Sequence, residues 1–286
     1  HLRFLRLGGQ PVCAPADAVA RTFGLHGPVE TVATACAAAT MAIEAALASL
    51  REGEVELALA GGSDGLCELT YGGFNSLRAV SPEPTRPFRR EREGLSLGEG
   101  AGALVLETER HARARGATIL AELAGTGTSC DAHHMTAPHP EGAGARLAIE
   151  RALTDAGLEP DAIDFINAHG TGTPHNDSAE WRALEAVFGA RARRLPLTST
   201  KGSVGHLLGA CGALEAVVTV LSLGARELHP TPGWGEIDED CPVDLVTLAP
   251  RSLPACRTAL SLNLAFGGAN AALVIRRMSE SEAAPR

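Results

Sequence analysis

The stretch that decides the fold is "TVATACAAATMAIEAALASLREGEVELALAGG", positions 31–62. Thr31, Val32 and Thr34 give residues 31–34 the look of a short β-branched strand ending. Residues 37–51 keep Met41, Ala42, Ala45, Ala46, Ala48 and Leu50 along one small apolar side, which is helical spacing. Residues 55–60 then form an apolar run that stops at Gly61-Gly62, the pattern of a buried strand. Strand, helix and strand within about thirty residues make a βαβ unit, and with it an α/β architecture.

The same grammar extends along the chain. Pro and charged residues mark 81–94 as a surface loop. Residues 101–106 read as a strand, 108–116 as a short polar helix and 118–124 as a strand, with a break between halves inside 116–129. In the second half, helices are expected over 142–156, 177–188 and 207–223, and strands over 163–167 and 196–199. Residues 258–263 and 271–275 pair around the glycine turn in "LAFGGA". The last ten residues, "RMSESEAAPR", read as a frayed end. These readings divide the chain into 1–118, 119–278 and a tail, 279–286.

Composition narrows the function class. The 286 residues are 45% hydrophobic and only 3% aromatic, so the chain is globular and much of its interior relies on close backbone packing. A net charge of −9 argues against a general nucleic-acid binder and against a polybasic membrane-surface protein. Seven cysteines (13, 36, 67, 130, 211, 241 and 256) are widely spaced, with no CxxC pair, and read as reduced residues. With no signal peptide and with Glu215 interrupting the most apolar stretch, the expected location is cytoplasmic, with no membrane span. The chain opens on His1 rather than Met, as if material preceded it.

Several residues carry chemistry. Cys36 lies where a strand ending meets the first turn of an Ala-rich helix, so unpaired N–H groups and the positive helix end favour its thiolate. That setting makes it a candidate reactive thiol among the seven. The bland reading, a buried structural cysteine, stands beside it. His169, in "INAHGTGTPHND", follows a strand, and His206, in "STKGSVGHLLGACGALEA", opens the apolar helix. Each is either a structural hydrogen-bonding group or a group aimed into a site. Glu215 sits mid-helix among apolar residues, where an unpaired carboxylate is costly, and Lys201, the only lysine, is its expected partner. His133 and His134 have no further ligands at diagnostic spacing, so no metal site is expected. The turn "FGGAN", 266–270, can aim backbone N–H groups into a pocket.

Four segments together, "VATACAAAT" (32–40), "NAHGTGT" (167–173), "STKGSVGHLLGACGALEA" (199–216) and "NLAFGGANAALV" (263–274), resemble the β-ketoacyl-acyl-carrier-protein synthases, specifically the type II elongating condensing enzymes. The resemblance runs in order from about residue 15 to 276. It implies a thiolase-like layered α/β/α/β/α fold of two similar halves, with the opening of the first half missing. It also implies acyl transfer to Cys36 and decarboxylative condensation with malonyl-acyl-carrier protein, in fatty-acid, polyketide or polyene synthesis. On this resemblance His169 and His206 are the catalytic histidines, Lys201 and Glu215 their motif partners, and Phe266 a gate. The N–H groups of Phe266 and Cys36 form the oxyanion hole, and Phe74 in "GGFNSL" lines the acyl pocket. No cofactor or metal is implied. The implied partners are acyl carrier protein and a second subunit, in a homodimer or a heterodimer. Ala265 departs from the glycine common before that phenylalanine, which predicts a stiffer gate. A thiolase would carry a second cysteine in the C-terminal glycine motif, but Cys256 lies outside it. A starter-unit synthase would lack the second histidine, and a noncatalytic chain-length partner would not keep Cys36 with both histidines.

Overall fold

Alternating strands and helices stack in layers in the computed structural model, which describes residues 12–278. The chain runs through α1 (Ala14–Phe23), α2 (Ala38–Glu52), β1 (Leu57–Asp64), α3 (Glu68–Ser76), β2 (Gly100–Glu107) and α4 (Glu109–Ala114). It continues with β3 (Ala121–Cys130), α5 (Ala143–Ala156), β4 (Phe165–Asn167), α6 (Pro174–Phe188), β5 (Pro196–Thr198), α7 (Lys201–Val204) and α8 (Cys211–Ala225). Five strands follow: β6 (Glu227–Leu228), β7 (Asp244–Leu245), β8 (Arg251–Ser252), β9 (Thr258–Leu264) and β10 (Ala269–Arg277).

The main sheet has the order β3-β10-β9-β4-β5-β7. β10 is antiparallel to both β3 and β9, while β9, β4, β5 and β7 run parallel. Central β9, "TALSLNL", is buried at every position, as a strand covered on both faces must be. On one face α5 and α6 contribute Ile149, Trp181 and Leu184 to a core shared with Leu260 and Val274. On the other, Ile43 of α2 and Ala216 and Leu223 of α8 pack with Ala259 and Leu273, and also with Ala60 of β1. Helices α2 and α8 therefore lie between the main sheet and the antiparallel pair β1–β2. They approach closely: a Cβ at Gly212 of α8 would stand 1.9 Å from Thr40 Oγ1 of α2.

The opening stretch folds differently from its sequence reading. Residues 31–34 form no strand, because no neighbouring strand takes up their backbone groups among the described residues. β1 pairs antiparallel with β2 instead of closing a parallel βαβ unit. It begins at Leu57 and continues through Gly61 and Gly62, which were expected to end it. Nor is it buried: Leu57 and Leu59 are each 38% exposed, and Val105 on β2 is 55% exposed. The apolar helix begins at Cys211, after a 3₁₀ turn at Leu208–Ala210. Helices α1 and α3 were not expected from the sequence, and neither buries a residue. By length and apolar content alone residues 208–225 could cross a membrane, but much of α8 is packed inside the layers. All seven cysteines are free. Of the last ten residues, read as frayed, Arg277 instead ends β10, and 279–286, the expected tail, lie outside the described residues.

Candidate active site

Cys36 sits in a 3₁₀ turn, Ala35–Ala37, that leads into α2. The preceding Ala35 has φ 47°, a left-handed conformation that costs a residue with a Cβ. The thiol is 4% exposed, and the backbone N–H groups of Phe266 and of Cys36 itself point at Sγ. Phe266 reaches it from the turn between β9 and β10. That turn needs glycine at 268, where φ is 81° and a Cβ would stand 2.9 Å from Asp131 Cβ. The Phe266 ring stacks on Phe74 of α3 with centroids 5.5 Å apart. The loop after β3 supports the turn: Gly267 N–H donates to Met135 O at 2.7 Å, and Asp131 N–H to Gly268 O at 2.8 Å.

The thiolate expected at Cys36 is corrected by burial. Desolvation pushes its thiol up to about 11, against the opposing pull of Lys201 and the two N–H groups. The 3₁₀ turn supplies N–H groups, but the loss of water outweighs them. The exposed cysteine with a lowered pKa is Cys67, whose Sγ accepts Thr70 N–H at 3.4 Å and contacts the Thr70 hydroxyl at 3.0 Å. Cys36 is therefore not the thiol most ready for a general electrophile.

His169 and His206 meet edge to face with ring centroids 5.5 Å apart, each 2% exposed. Burial, then Lys201, hold both well below the ordinary imidazole value, with His206 adding to the effect on His169, so both rings are neutral. His169 follows β4, and its N–H donates to Glu180 Oε1 at 2.7 Å, while Gly170 N–H donates to Oε2 at 2.8 Å. Burial pushes Glu180 up to about 7. Asp177 accepts the N–H groups of Phe88 at 2.7 Å and Gly172 at 3.2 Å. These two α6 carboxylates hold the "HGTGT" loop from below. His169 Nδ1 is buried with no hydrogen-bond partner, as expected of a nitrogen left open to a ligand. His206 precedes the 3₁₀ turn instead of opening a helix, and is gripped by the segment before β2: its N–H donates to Ser96 O at 2.7 Å and its carbonyl accepts Gly98 N–H at 2.9 Å.

Lys201 Nζ pairs with Glu215 Oε1 at 2.6 Å, with the two side chains 1% and 2% exposed. Glu215 Oε2 accepts Asn263 Nδ2 at 2.7 Å, and Asn263 Oδ1 accepts the Thr40 hydroxyl at 2.5 Å. The chain Lys201–Glu215–Asn263–Thr40 thus crosses from α7 through α8 and β9 to α2, the helix that follows Cys36. Glu215 keeps Lys201 protonated despite burial.

The seven residues that the resemblance assigns to the site are brought into this assembly: Cys36, His169, His206, Lys201, Glu215, Phe266 and Phe74. Reasoning from sequence missed Glu180, Asn263 and Thr40, because a lone Glu on a mixed helix or an Asn in a strand carries no motif. His133 and His139, in the loop after β3, pack at a tilt with ring centroids 5.2 Å apart. Among the described residues no cluster of three His, Cys, Asp or Glu side chains is arranged to hold a metal ion.

The comparisons agree with this architecture. The model described as β-ketoacyl synthase, N-terminal domain, matches residues 4–112, and that of the C-terminal domain matches 120–234. Nodulation protein E of Rhizobium meliloti is 42% identical over 266 residues, covering 93% of this chain and 66% of that protein. The 3-oxoacyl-[acyl-carrier-protein] synthase 2 of Synechocystis sp. is 41% identical over 261 residues, covering 89% of this chain and 62% of that protein. A solved complex of a type II PKS acyl-carrier protein with its ketosynthase bound to the hexaketide, AntDE:AntF, has a chain that superposes with a TM-score of 0.92. Identity there is 35%, with 95% of this chain and 68% of that chain covered. A β-ketoacyl synthase from Burkholderia phymatum gives a TM-score of 0.89 at 40% identity, covering 93% of this chain and 66% of that one. The chain belongs to the β-ketoacyl synthase family and has its thiolase-like layered α/β fold. It spans about two thirds of the length of the curated relatives it matches, 66% and 62% for the two above.

Proposed function

We propose that this chain carries the catalytic residues of a β-ketoacyl-acyl-carrier-protein synthase, an acyltransferase that extends a thioester-bound chain by decarboxylative condensation. The observation that carries the reading is one buried cluster: Cys36 under two N–H groups, beside two neutral histidines and the Lys201–Glu215 pair.

In this reading Cys36 Sγ attacks the acyl thioester of a carrier protein, the carrier thiol leaves with a proton, and the acyl group stays on Sγ. The N–H groups of Cys36 and Phe266, which point at Sγ in the resting protein, stabilise the oxyanion of the tetrahedral intermediate. A malonyl thioester then loses CO₂, and the electron pair of the broken C–C bond becomes an enolate. Neutral His169 and His206 donate N–H to the enolate oxygen. A charged Lys201 nearby disfavours their protonation and keeps them neutral. The enolate carbon attacks the acyl carbonyl, and Cys36 leaves as the thiolate and is reprotonated. Phe74 and Phe266 wall the acyl chain.

The partners in this reading are acyl carrier protein, as named for the AntDE:AntF complex, and a second subunit. That subunit is a copy of the chain or, as in the solved ketosynthase with its chain length factor from Xenorhabdus doucetiae, a different one. The proposed location is cytoplasmic. The proposed division is a cysteine-bearing half, 1–118, and a histidine-bearing half, 119–278. A noncatalytic chain-length role is disfavoured by Cys36 itself.

The test is intact-mass analysis after incubation with a panel of acyl-carrier proteins, together with CO₂ release from malonyl-carrier protein. Acyl adducts that vanish in Cys36→Ala, with decarboxylation that falls in His169→Ala and His206→Ala, are expected. No adduct on the wild-type protein, or decarboxylation unchanged in both histidine variants, overturns the reading.

A further inference from the structure

Cys211 touches the site but has no part in the chemistry above. It opens α8, is 2% exposed, and its Sγ lies 3.1 Å from His206 Nδ1 while accepting Leu207 N–H at 3.1 Å. Leu208 N–H points at the same Nδ1 from 3.0 Å. A backbone N–H can only donate, so Nδ1 is an acceptor and the neutral ring carries its proton on Nε2. With that assignment the contact with Cys211 runs from S–H to nitrogen. Burial pushes the Cys211 thiol far up, so it retains the proton it donates.

We propose that Cys211 is a positioning residue for His206: its S–H and the Leu208 N–H together clamp Nδ1, leaving Nε2–H as the donor that faces the reacting oxygen. The clamp stands on the resting geometry, and only its effect on rate rests on the condensing function proposed above. A second donor on Nδ1 withdraws electron density from the ring, which strengthens Nε2–H as a donor and disfavours the imidazolium. The relay reads Leu207 N–H to Sγ, S–H to Nδ1, and Nε2–H outward. The titratable groups that act on the His206 ring or on Cys211 are His169 after β4, Lys201 of α7, Glu215 of α8 and Cys36 before α2, and a substitution at 211 removes none of them.

The experiment uses the full chain. Cys211→Val fills the space without a donor, and Cys211→Ser keeps a donor. Long-range proton–nitrogen spectra of the imidazoles read the His206 tautomer and its titration without substrate. Release of CO₂ from malonyl-carrier protein reads the consequence. Expected are an Nε2–H tautomer in the wild type and, in Cys211→Val, a displaced Nδ1 resonance and a His206 that titrates at higher pH. Decarboxylation in that variant should be about three- to tenfold slower, the size of one lost hydrogen bond, with acyl loading of Cys36 less affected. Cys211→Ser should recover most of the loss. A wild-type proton on Nδ1, or wild-type nitrogen shifts in a folded Cys211→Val, overturns the clamp, and an unchanged decarboxylation rate overturns the positioning role. If Cys211→Val does not fold, Cys211→Ala gives the same comparison. A wild-type protein that releases no CO₂ defeats the condensing function, while the spectra still decide the clamp.

Discussion

The two sheets that flank α2 and α8 differ sharply. β9 hides all seven of its side chains, whereas β1 alternates between exposed and half-covered positions with only Ala60 buried. His169 is carried by a loop that follows β4 of the first sheet, whereas His206 is bound to the segment before β2, and Cys36 sits in the turn into a helix that packs against β1. A buried strand fixes what it carries through sheet hydrogen bonds and two-sided packing. The cysteine instead depends on contacts that cross between layers: Thr40 to Asn263, and Phe266 N–H to Sγ. The site is one assembly because these contacts tie a lightly covered region to a fully covered one.

The comparison can be broken most visibly through the thiols. Near neutral pH a limiting general alkylating agent should label exposed Cys67 well before Cys36. Because the Cys36 pKa is raised, its thiolate fraction grows about tenfold per pH unit until the pH nears about 11, so its labelling should climb steeply across that range. Peptide mapping of the labelled protein checks this, and a Cys36 labelled first at neutral pH contradicts the burial argument. Next in size is Lys201→Met, which strands Glu215 in the layer between the sheets. A loss of about 3–5 kcal/mol in denaturant unfolding is expected. Without the ammonium, the Cys36 pKa rises further and those of both histidines rise toward their ordinary value, so the acid limb of any decarboxylation profile moves to higher pH.

A paired substitution sharpens the contrast between the sheets. Leu260→Ala in β9 should cost about 2–5 kcal/mol, whereas Val105→Ala on the outer face of β2 should stay within about 0.5 kcal/mol. Equal losses at the two positions would mean that the outer face is as well covered as the core. Smallest is Gly212→Ala. Its new methyl group collides with Thr40, which should cost about 1–3 kcal/mol and move α2 relative to α8. Unfolding measurements give the cost, and Cys36 labelling at raised pH reports the displacement.

Of the main sheet, β4, β5, β9 and β10 were legible near their observed bounds, whereas β3 runs through Gly125 and Gly127 to Cys130, past the expected end at 124, and the two-residue β7 was not expected. The histidine loops, the lysine motif and the phenylalanine turn are sequence-local, and the resemblance of those segments to the β-ketoacyl synthases gave them roles, where the residues by themselves left structural readings open. The opening stretch misled because residues 31–34 have strand composition, and composition does not reveal whether a neighbouring strand exists to pair with. Gly61 and Gly62 read as terminators, yet lie inside β1. Cys36 misled in a different way. Its place at a helix start was visible, but the loss of water around it was not, and that loss dominates its pKa. Glu180 and Asp177 were illegible because a carboxylate that accepts backbone N–H groups leaves no spacing signature.

The single lysine has one more consequence. An amine attacks thioesters, and a protein that handles them puts its own lysines at risk of irreversible amide formation. Here the only lysine side chain is 1% exposed and held as an ammonium against Glu215, so it has no free electron pair to offer an activated acyl group. In the proposed reaction the amine is thus withdrawn from competition with the Cys36 thiol, whose thioester, unlike an amide, is readily broken again. The same burial makes the folded protein inert to amine-directed labels at this position.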